Sequence, residues 1–286
     1  MEKGERIGII GGSGLYALEG VETEDTVESV TPYGSPSSPI VLATLDGLGL
    51  AFLARHGIGH VLSPSEVPYA ANIYALKALG VRRIISVSAV GSLKNKIAPR
   101  DVVIPDQLWD RTKGVRRSTF FGEGVVAHVS FGEPYCPCMR EILASSAAEA
   151  GGNVHPTGDY VCMEGPAFST RAESRVYRAM ACDVIGMTAV PEAKLAREAN
   201  ICYATLALVT DYDAWHESEE EVTVEMVMAN MAANTSLAGR ILALASKAVA
   251  SHEFDCGCRN ASRNAVMTAP EKRDPRRMED LRVVLE

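Results

Sequence analysis

A strand that is apolar on both faces can exist only inside a sheet covered on both sides, and this chain contains one. Residues 203–209, YATLALV, have the length and residue type of a fully buried strand. The run ends in Thr210, Asp211, Tyr212 and Asp213. Two carboxylates thus stand two residues apart where a core strand leaves its sheet. In open α/β sheets, ligands bind outside that carboxyl edge. The same residues also suit an Asp-rich turn opening the next element. What the other strand ends carry decides between the two.

A core strand of this kind needs enough chain to cover it. The 286 residues are 47% hydrophobic and 22% charged, which fits one large α/β domain or two small ones. The net charge of −8 and the lack of a basic stripe argue against a nucleic-acid partner. The opening MEKGERIGII runs from charge straight into a strand, unlike a signal peptide. No apolar run reaches the length of a membrane span, so a cytoplasmic chain with no membrane partner is expected.

Residues 6–10 are a predicted strand, followed by Gly11, Gly12, Ser13 and Gly14, a loop able to aim backbone N–H groups at an anion. Residues 12–17 match the dinucleotide fingerprint G-x-G-x-x-A, which would make the chain a nucleotide-binding module. That motif requires a helix and a parallel strand next. Instead, two apolar segments, 40–45 and 48–54, are joined by Asp46 and Gly47, a hairpin signal. The second segment ends in Arg55 and His56. Arg at a strand end suits an oxyanion, although surface carboxylates would satisfy it equally well.

Ser63 and Glu66 form a capping box with Pro64 at the first helical position, predicting a helix to about residue 79. A strand over 83–87 then closes in a loop that begins with Ser88 and Ala89, and a short strand is expected over 102–105. The polar connection 106–124 has the length of a functional or interface segment. Pro137 opens a helix. Thr170 and Glu173 form a second capping box, with Phe168 before it as a hydrophobic staple or a stacking platform. A strand over 183–187 leads to Thr188, and Pro191 opens a helix through residue 199. A long amphipathic helix spans about 224–250. The residues from Cys256 on are charged and without clear period, so a tail or interface arm is expected.

Five loops after apolar strands therefore hold Ser13, Arg55/His56, Ser88, Thr188 and Asp211/Asp213. Four suit a phosphate; the fifth suits a heterocycle that must be hydrogen-bonded or protonated. The seven cysteines include two C-x-C pairs, Cys136/Cys138 and Cys256/Cys258. A zinc site made from both pairs is one reading, weakened because structural zinc sites normally use C-x2-C or longer spacing. Buried thiols are another.

The stretches IGIIGGSGLY, LARHGIGH, PSEVPYAANIYALKALG, SAVGSL, EPYCP, EGPAFSTRAES, GMTAVPE, LAREANICYA and TDYDAW resemble the 5′-methylthioadenosine phosphorylase family, of the trimeric purine nucleoside phosphorylases. The resemblance covers about residues 6–250. It implies an α/β fold with a central mixed, partly barrel-like sheet flanked by helices, a phosphorylase domain over 1–255 and a tail over 256–286. It also implies phosphate-dependent cleavage of 5′-methylthioadenosine to adenine and 5-methylthioribose 1-phosphate. Phosphate is a co-substrate, and no metal or organic cofactor is implied. A broader phosphorylase acting on adenosine, inosine or methylthioinosine is the alternative. Carboxylates at both base-reading positions favour a 6-amino purine over a 6-oxo one.

By the same resemblance, Ser13, Arg55, His56, Ser88, Ala89 and Thr188 match the phosphate site. Met187 matches the ribose contact, Phe168 the base pocket, and Asp211 and Asp213 the purine-reading carboxylates. Val224, Val227 and Met228 match the wall around the methylthio group. His128 matches a residue lent by a neighbouring subunit, which implies a homotrimer or dimer of trimers. Thermostable relatives pair cysteines at similar places, implying a Cys136–Cys202 disulfide and a strained Cys256–Cys258 one. The single glutamine, Gln107, fits a thermostable protein.

Overall fold

A computed structural model describes residues 5–12, 20–216 and 224–286. Its elements, in order, are β1 (Arg6–Gly11), β2 (Val21–Val27), β3 (Ile40–Leu45), β4 (Leu48–Ala54), α1 (Tyr69–Ala78), β5 (Val81–Ser92), β6 (Val102–Val103), β7 (Gln107–Arg111), α2 (Pro137–Glu149), β8 (Val154–His155), β9 (Asp159–Met163), α3 (Arg171–Ala179), β10 (Val184–Gly186), α4 (Ala189–Glu198), β11 (Cys202–Tyr212), α5 (Val224–Ser251) and α6 (Pro275–Leu285). The strands form one mixed sheet running β2-β3-β4-β1-β5-β10-β9-β7, with β11, β6 and β8 branching from β5. Among the described residues no helix is long and apolar enough to cross a membrane.

The central strands alternate between two cores. Ile7, Ile9, Ile85, Leu206 and Leu208 face a layer made by Met139, Ile142 and Leu143 of α2 and Ile241, Leu242 and Ala245 of α5. Ile10, Ala51, Leu53, Ile84 and Tyr203 face the opposite layer, with Ile73 and Leu76 of α1, Leu195 of α4, and Leu281 and Val284 of α6. Covering both faces explains why β1, β5 and β11 are near-continuous apolar runs. In the β3–β4 hairpin, Asp46 (φ 50°) and Gly47 (φ 80°) both occupy the left-handed region, as a two-residue turn matched to strand twist requires.

Several expectations are corrected. The Ser63 capping box makes only a turn: Glu66 Oε2 accepts from Ser63 N at 2.9 Å, but α1 starts after Pro68. A helix from Ser63 would place the Pro68 ring against the carbonyl of Pro64, four residues back. The predicted loop from Ser88 is strand, because β5 extends to Ser92 along β11. The tail is not aperiodic arm. Asp274 caps α6 with bonds to Arg276 N and Arg277 N, Pro275 opens it, and its Leu281 and Val284 enter the core. The two expected disulfides are not formed: Cys136, Cys202, Cys256 and Cys258 are free thiols, as are the other three cysteines.

Candidate active site

Strand β5 is the frame of the site. Along one edge it pairs with β11 from Arg83 to Ser92. Along the other it pairs with parallel β1 only up to Ser86, then with antiparallel β10 from Gly91. Residues 87–90 thus lack a strand partner on that edge among the described residues. Ser88 and Ala89, the candidate phosphate residues of β5, lie in this gap. Ala89 is exposed, while Ser88 is buried with its Oγ 3.4 Å from Thr188 Oγ1. Thr188 stands just before α4, with no capping bond from its side chain. Two hydroxyls a hundred residues apart therefore converge with an open backbone edge, as an oxyanion site needs.

Arg55 follows β4 and is 3% exposed. Its guanidinium grips Glu192 of α4 bidentately, Nε to Oε2 at 2.8 Å and Nη2 to Oε1 at 3.0 Å. Nη1 donates to the Val87 carbonyl at 2.9 Å, inside the β5 gap, and Nη2 to Ser86 Oγ at 2.7 Å. Ser86 and Tyr203 both donate to Glu192 Oε1. Burial alone would depress the Arg55 pKa, but the Glu192 carboxylate outweighs it and raises it. Only Nη1 keeps an N–H without an acceptor among the described residues. Arg55 thus offers a fixed positive charge and one spare donor, rather than a whole fork.

His56 donates Nδ1–H to the Leu62 carbonyl at 2.8 Å, since a carbonyl can only accept. Burial first, and the Arg55 charge next, push its pKa down to about 4. A neutral ring with Nδ1 occupied presents Nε2 as an acceptor.

At the end of β11 the register with β5 shifts between Val209 and Asp211. Such a bulge turns the following side chains. Asn230 and Asn234 of α5 hold the carbonyls of Thr210 and Val209 at 2.7 and 3.0 Å, fixing the strand end. Asp211 is 6% exposed and Asp213 5%. Burial raises both pKa values, that of Asp211 to about 6 despite the bond from Thr210 Oγ1, with the Asp213 charge adding to the rise. Asp213 Oδ2 has no hydrogen-bond partner among the described residues. Gly91 makes room for the pair: a Cβ there would meet Asp211 Oδ1 at 3.0 Å and Asp213 Cβ at 3.4 Å.

Phe168 is 45% exposed and so is no staple for α3, whose Thr170–Glu173 capping box is intact. Met187 is half-buried, its carbonyl taking a bond from Arg116 Nη1 at 2.7 Å. Met228 on α5 is 60% exposed. His128 is exposed, on a segment tied by its N–H to Ala265 of the tail. It makes no bond to the other candidates among the described residues. Ser13, and the side chains of Val224 and Val227, lie outside the described residues.

Three residues escaped the sequence reading. Glu192 and Ser86 fix Arg55, and Arg116 fixes the Met187 loop. Arg116 also pairs with Glu164, Nε to Oε1 at 3.0 Å, and bonds the Val190 carbonyl at 2.7 Å. Its signal was its place in the long polar connection after residue 106.

Comparison with known proteins follows the same lines. The phosphorylase superfamily model matches residues 6–247. An S-methyl-5′-thioadenosine phosphorylase of Geobacter sulfurreducens is 53% identical over 262 residues, 92% of this chain and 91% of that protein. One from Chloroflexus aurantiacus is 52% identical over 265 residues, 93% and 92% of the two chains. The crystal structure of a methylthioadenosine phosphorylase from an antarctic soil metagenomic library superposes with a TM-score of 0.95, at 50% identity over 100% of both chains. An adenosine/methylthioadenosine phosphorylase mutant of Schistosoma mansoni, in complex with adenine, gives 0.88 at 34% identity, covering 93% of this chain and 100% of that one.

Proposed function

The chain belongs to the S-methyl-5′-thioadenosine phosphorylase family of the phosphorylase superfamily, and from that membership we propose how its residues divide the work. The enzyme cleaves 5′-methylthioadenosine with inorganic phosphate, giving adenine and 5-methylthioribose 1-phosphate, a reaction of purine and methionine salvage. Phosphate lies in the β5 gap, between the Ser88 and Thr188 hydroxyls, the Ala89 backbone and the Arg55 charge, and Ser13, outside the described residues, is its further candidate ligand. Neutral His56 accepts through Nε2 from a protonated phosphate oxygen. A phosphate oxygen attacks the anomeric carbon as its bond to N9 breaks, and the anion stabilises the cation-like sugar.

Adenine leaves poorly as an anion. Asp211, whose pKa near 6 keeps a share of the carboxyl protonated near neutrality, donates to N7 as charge builds there. Asp213 accepts from the 6-amino group through Oδ2, which has no hydrogen-bond partner among the described residues. Met187 contacts the ribose, Phe168 covers the base and Met228 lines the methylthio group, with Val224 and Val227, whose side chains lie outside the described residues, as the further candidates for that wall. The observation that carries these roles is the pair of buried carboxylates at a strand end, beside a gap lined with hydroxyls. The test is release of base from methylthioadenosine, adenosine, inosine and methylthioinosine, with and without phosphate. Release that needs phosphate and favours the 6-amino substrates supports the assignment; equal use of 6-oxo nucleosides overturns the role of Asp213.

A homotrimer, or a dimer of trimers, is part of the same reading, with His128 completing a neighbour's site. Its exposure in the single chain supports this. Sedimentation of the purified enzyme measures the oligomer, and a fully active monomer would remove His128 from the mechanism.

A further inference from the structure

Away from the candidate active site, four cysteines from three separate segments meet. Cys136 immediately precedes α2, Cys202 opens β11, and Cys256 and Cys258 flank Gly257 after α5. Their sulfurs all lie within 4.8 Å of one another. Cys256 Sγ is 3.5 Å from Cys136 Sγ and 3.5 Å from Cys202 Sγ. A disulfide requires about 2.05 Å and joins only two sulfurs. Here Cys256 is equally near two partners and covalently joined to neither. A tetrahedral site with metal–sulfur bonds of about 2.3 Å has edges of roughly 3.8 Å, which these separations straddle.

We propose that Cys136, Cys202, Cys256 and Cys258 form a structural tetrathiolate site for one zinc ion. Four protein ligands fill a tetrahedral zinc and leave no position for substrate, so the site is structural. Cys136, Cys202 and Cys258 are at most 3% exposed and belong to the core between the sheet and the α2/α5 layer. A charged thiolate cluster in such surroundings needs compensation. The cation supplies most of it, and Cys136, the N-cap residue of α2, stands at the positive end of that helix's dipole. Binding is a simple exchange, with zinc in and up to four thiol protons out. Cys138 is not a ligand; its Sγ bonds Asp255 Oδ1 at 3.4 Å. The site therefore takes one cysteine from the first C-x-C pair and both from the second, with Cys202 as the fourth. It staples the segment entering the tail to the start of the central strand.

The test uses the full chain, expressed with zinc in the medium and purified without a metal-affinity column. The expected result is about one zinc per chain by elemental analysis. Cobalt, added to reduced protein after chelation, should give the visible absorption of tetrahedral Co²⁺ with thiolate charge transfer. Cys258→Ser should lower zinc content at least tenfold, whereas Cys138→Ser should leave it unchanged. Should Cys258→Ser not fold, metal content and cobalt spectrum of the unaltered protein still decide. Zinc-free protein that takes up no cobalt overturns the proposal. So does an unreduced mass lowered by two hydrogens for each bridge, which would establish disulfides instead. Chelation should lower the thermal midpoint and leave turnover at moderate temperature intact, because no candidate active-site residue is among the ligands.

Discussion

Replacing Asp211 by Asn should slow the enzyme and stabilise the fold, and the stabilisation should depend on pH. The buried carboxyl titrates at about 6 in the folded chain against an ordinary 3.8. A raised acid pKa means that the folded state prefers the proton. The stability tied to this group is fully present below pH 3.8 and is lost as pH rises through about 6. The loss approaches about 3 kcal/mol by pH 8, with about half of it already reached at pH 5. Asn carries no charge at any of these values, so the variant escapes the penalty. Thr210 Oγ1, 2.7 Å from Asp211 Oδ2, can donate equally well to an amide oxygen. Any fixed cost of placing an NH2 group there is independent of pH. Urea unfolding of ligand-free wild type and variant, at intervals from pH 4 to 8, should give a difference that moves by about 2.4 kcal/mol in favour of Asn. Turnover of methylthioadenosine should fall by about two orders of magnitude or more, the scale of general-acid help. A stability difference flat with pH would mean that Asp211 is ionised without penalty, and the acid role would lose its physical basis.

Asp213→Asn turns an acceptor into a group that can also donate, so kcat/KM should shift toward inosine and methylthioinosine; an unchanged ratio would return Asp213 to a turn role. Arg55→Ala should raise the KM for phosphate more than that for nucleoside. It should also destabilise the fold by about 3–5 kcal/mol, because Glu192 is left buried and unpaired. If the phosphate KM is unchanged while stability drops, Arg55 serves only the scaffold. Gly91→Ala brings a methyl to 3.0 Å from Asp211 Oδ1, so activity should fall while the buried ion pair, and phosphate affinity with it, is spared. Steady-state kinetics at varied phosphate would expose the opposite pattern.

The features legible in the sequence are those set by neighbours along the chain. The Asp46–Gly47 turn, the Thr170–Glu173 capping box and the buried strand of residues 203–209 are local patterns, and each forms. The Ser63 box is equally local, yet a proline five residues on overrides it. The missed extension of β5 has a different cause. Gly91 and Ser92 look like a loop until β10 and β11 supply partners for them. Helix α6 was hidden because only Met278, Leu281, Val284 and Leu285 pack on the core and most of its other positions are charged.

The candidate site shows the same division. Its strand-end residues could be named one at a time, but not the way they constrain each other. Arg55 at a strand end suggests a free cationic fork, and the fold instead commits most of it to a glutamate 137 positions away. That pairing changes what Arg55 can do. A guanidinium locked by Glu192, Ser86 and the Val87 carbonyl cannot swing to meet an anion, so the anion must come to it. The same bond to Val87 braces the stretch of β5 that lacks a strand partner on its β1/β10 edge among the described residues, where Ser88 and Ala89 stand. Preorganisation of this kind would reduce the ordering needed when phosphate binds, and it couples the proposed phosphate site to the helix that Thr188 precedes. Glu192→Gln should therefore weaken phosphate binding although Glu192 itself carries the wrong charge to touch the anion. A simple electrostatic view predicts the reverse, since removing a negative charge near an anion should tighten it. Phosphate titration of this one variant separates a braced guanidinium from a merely neutralised one.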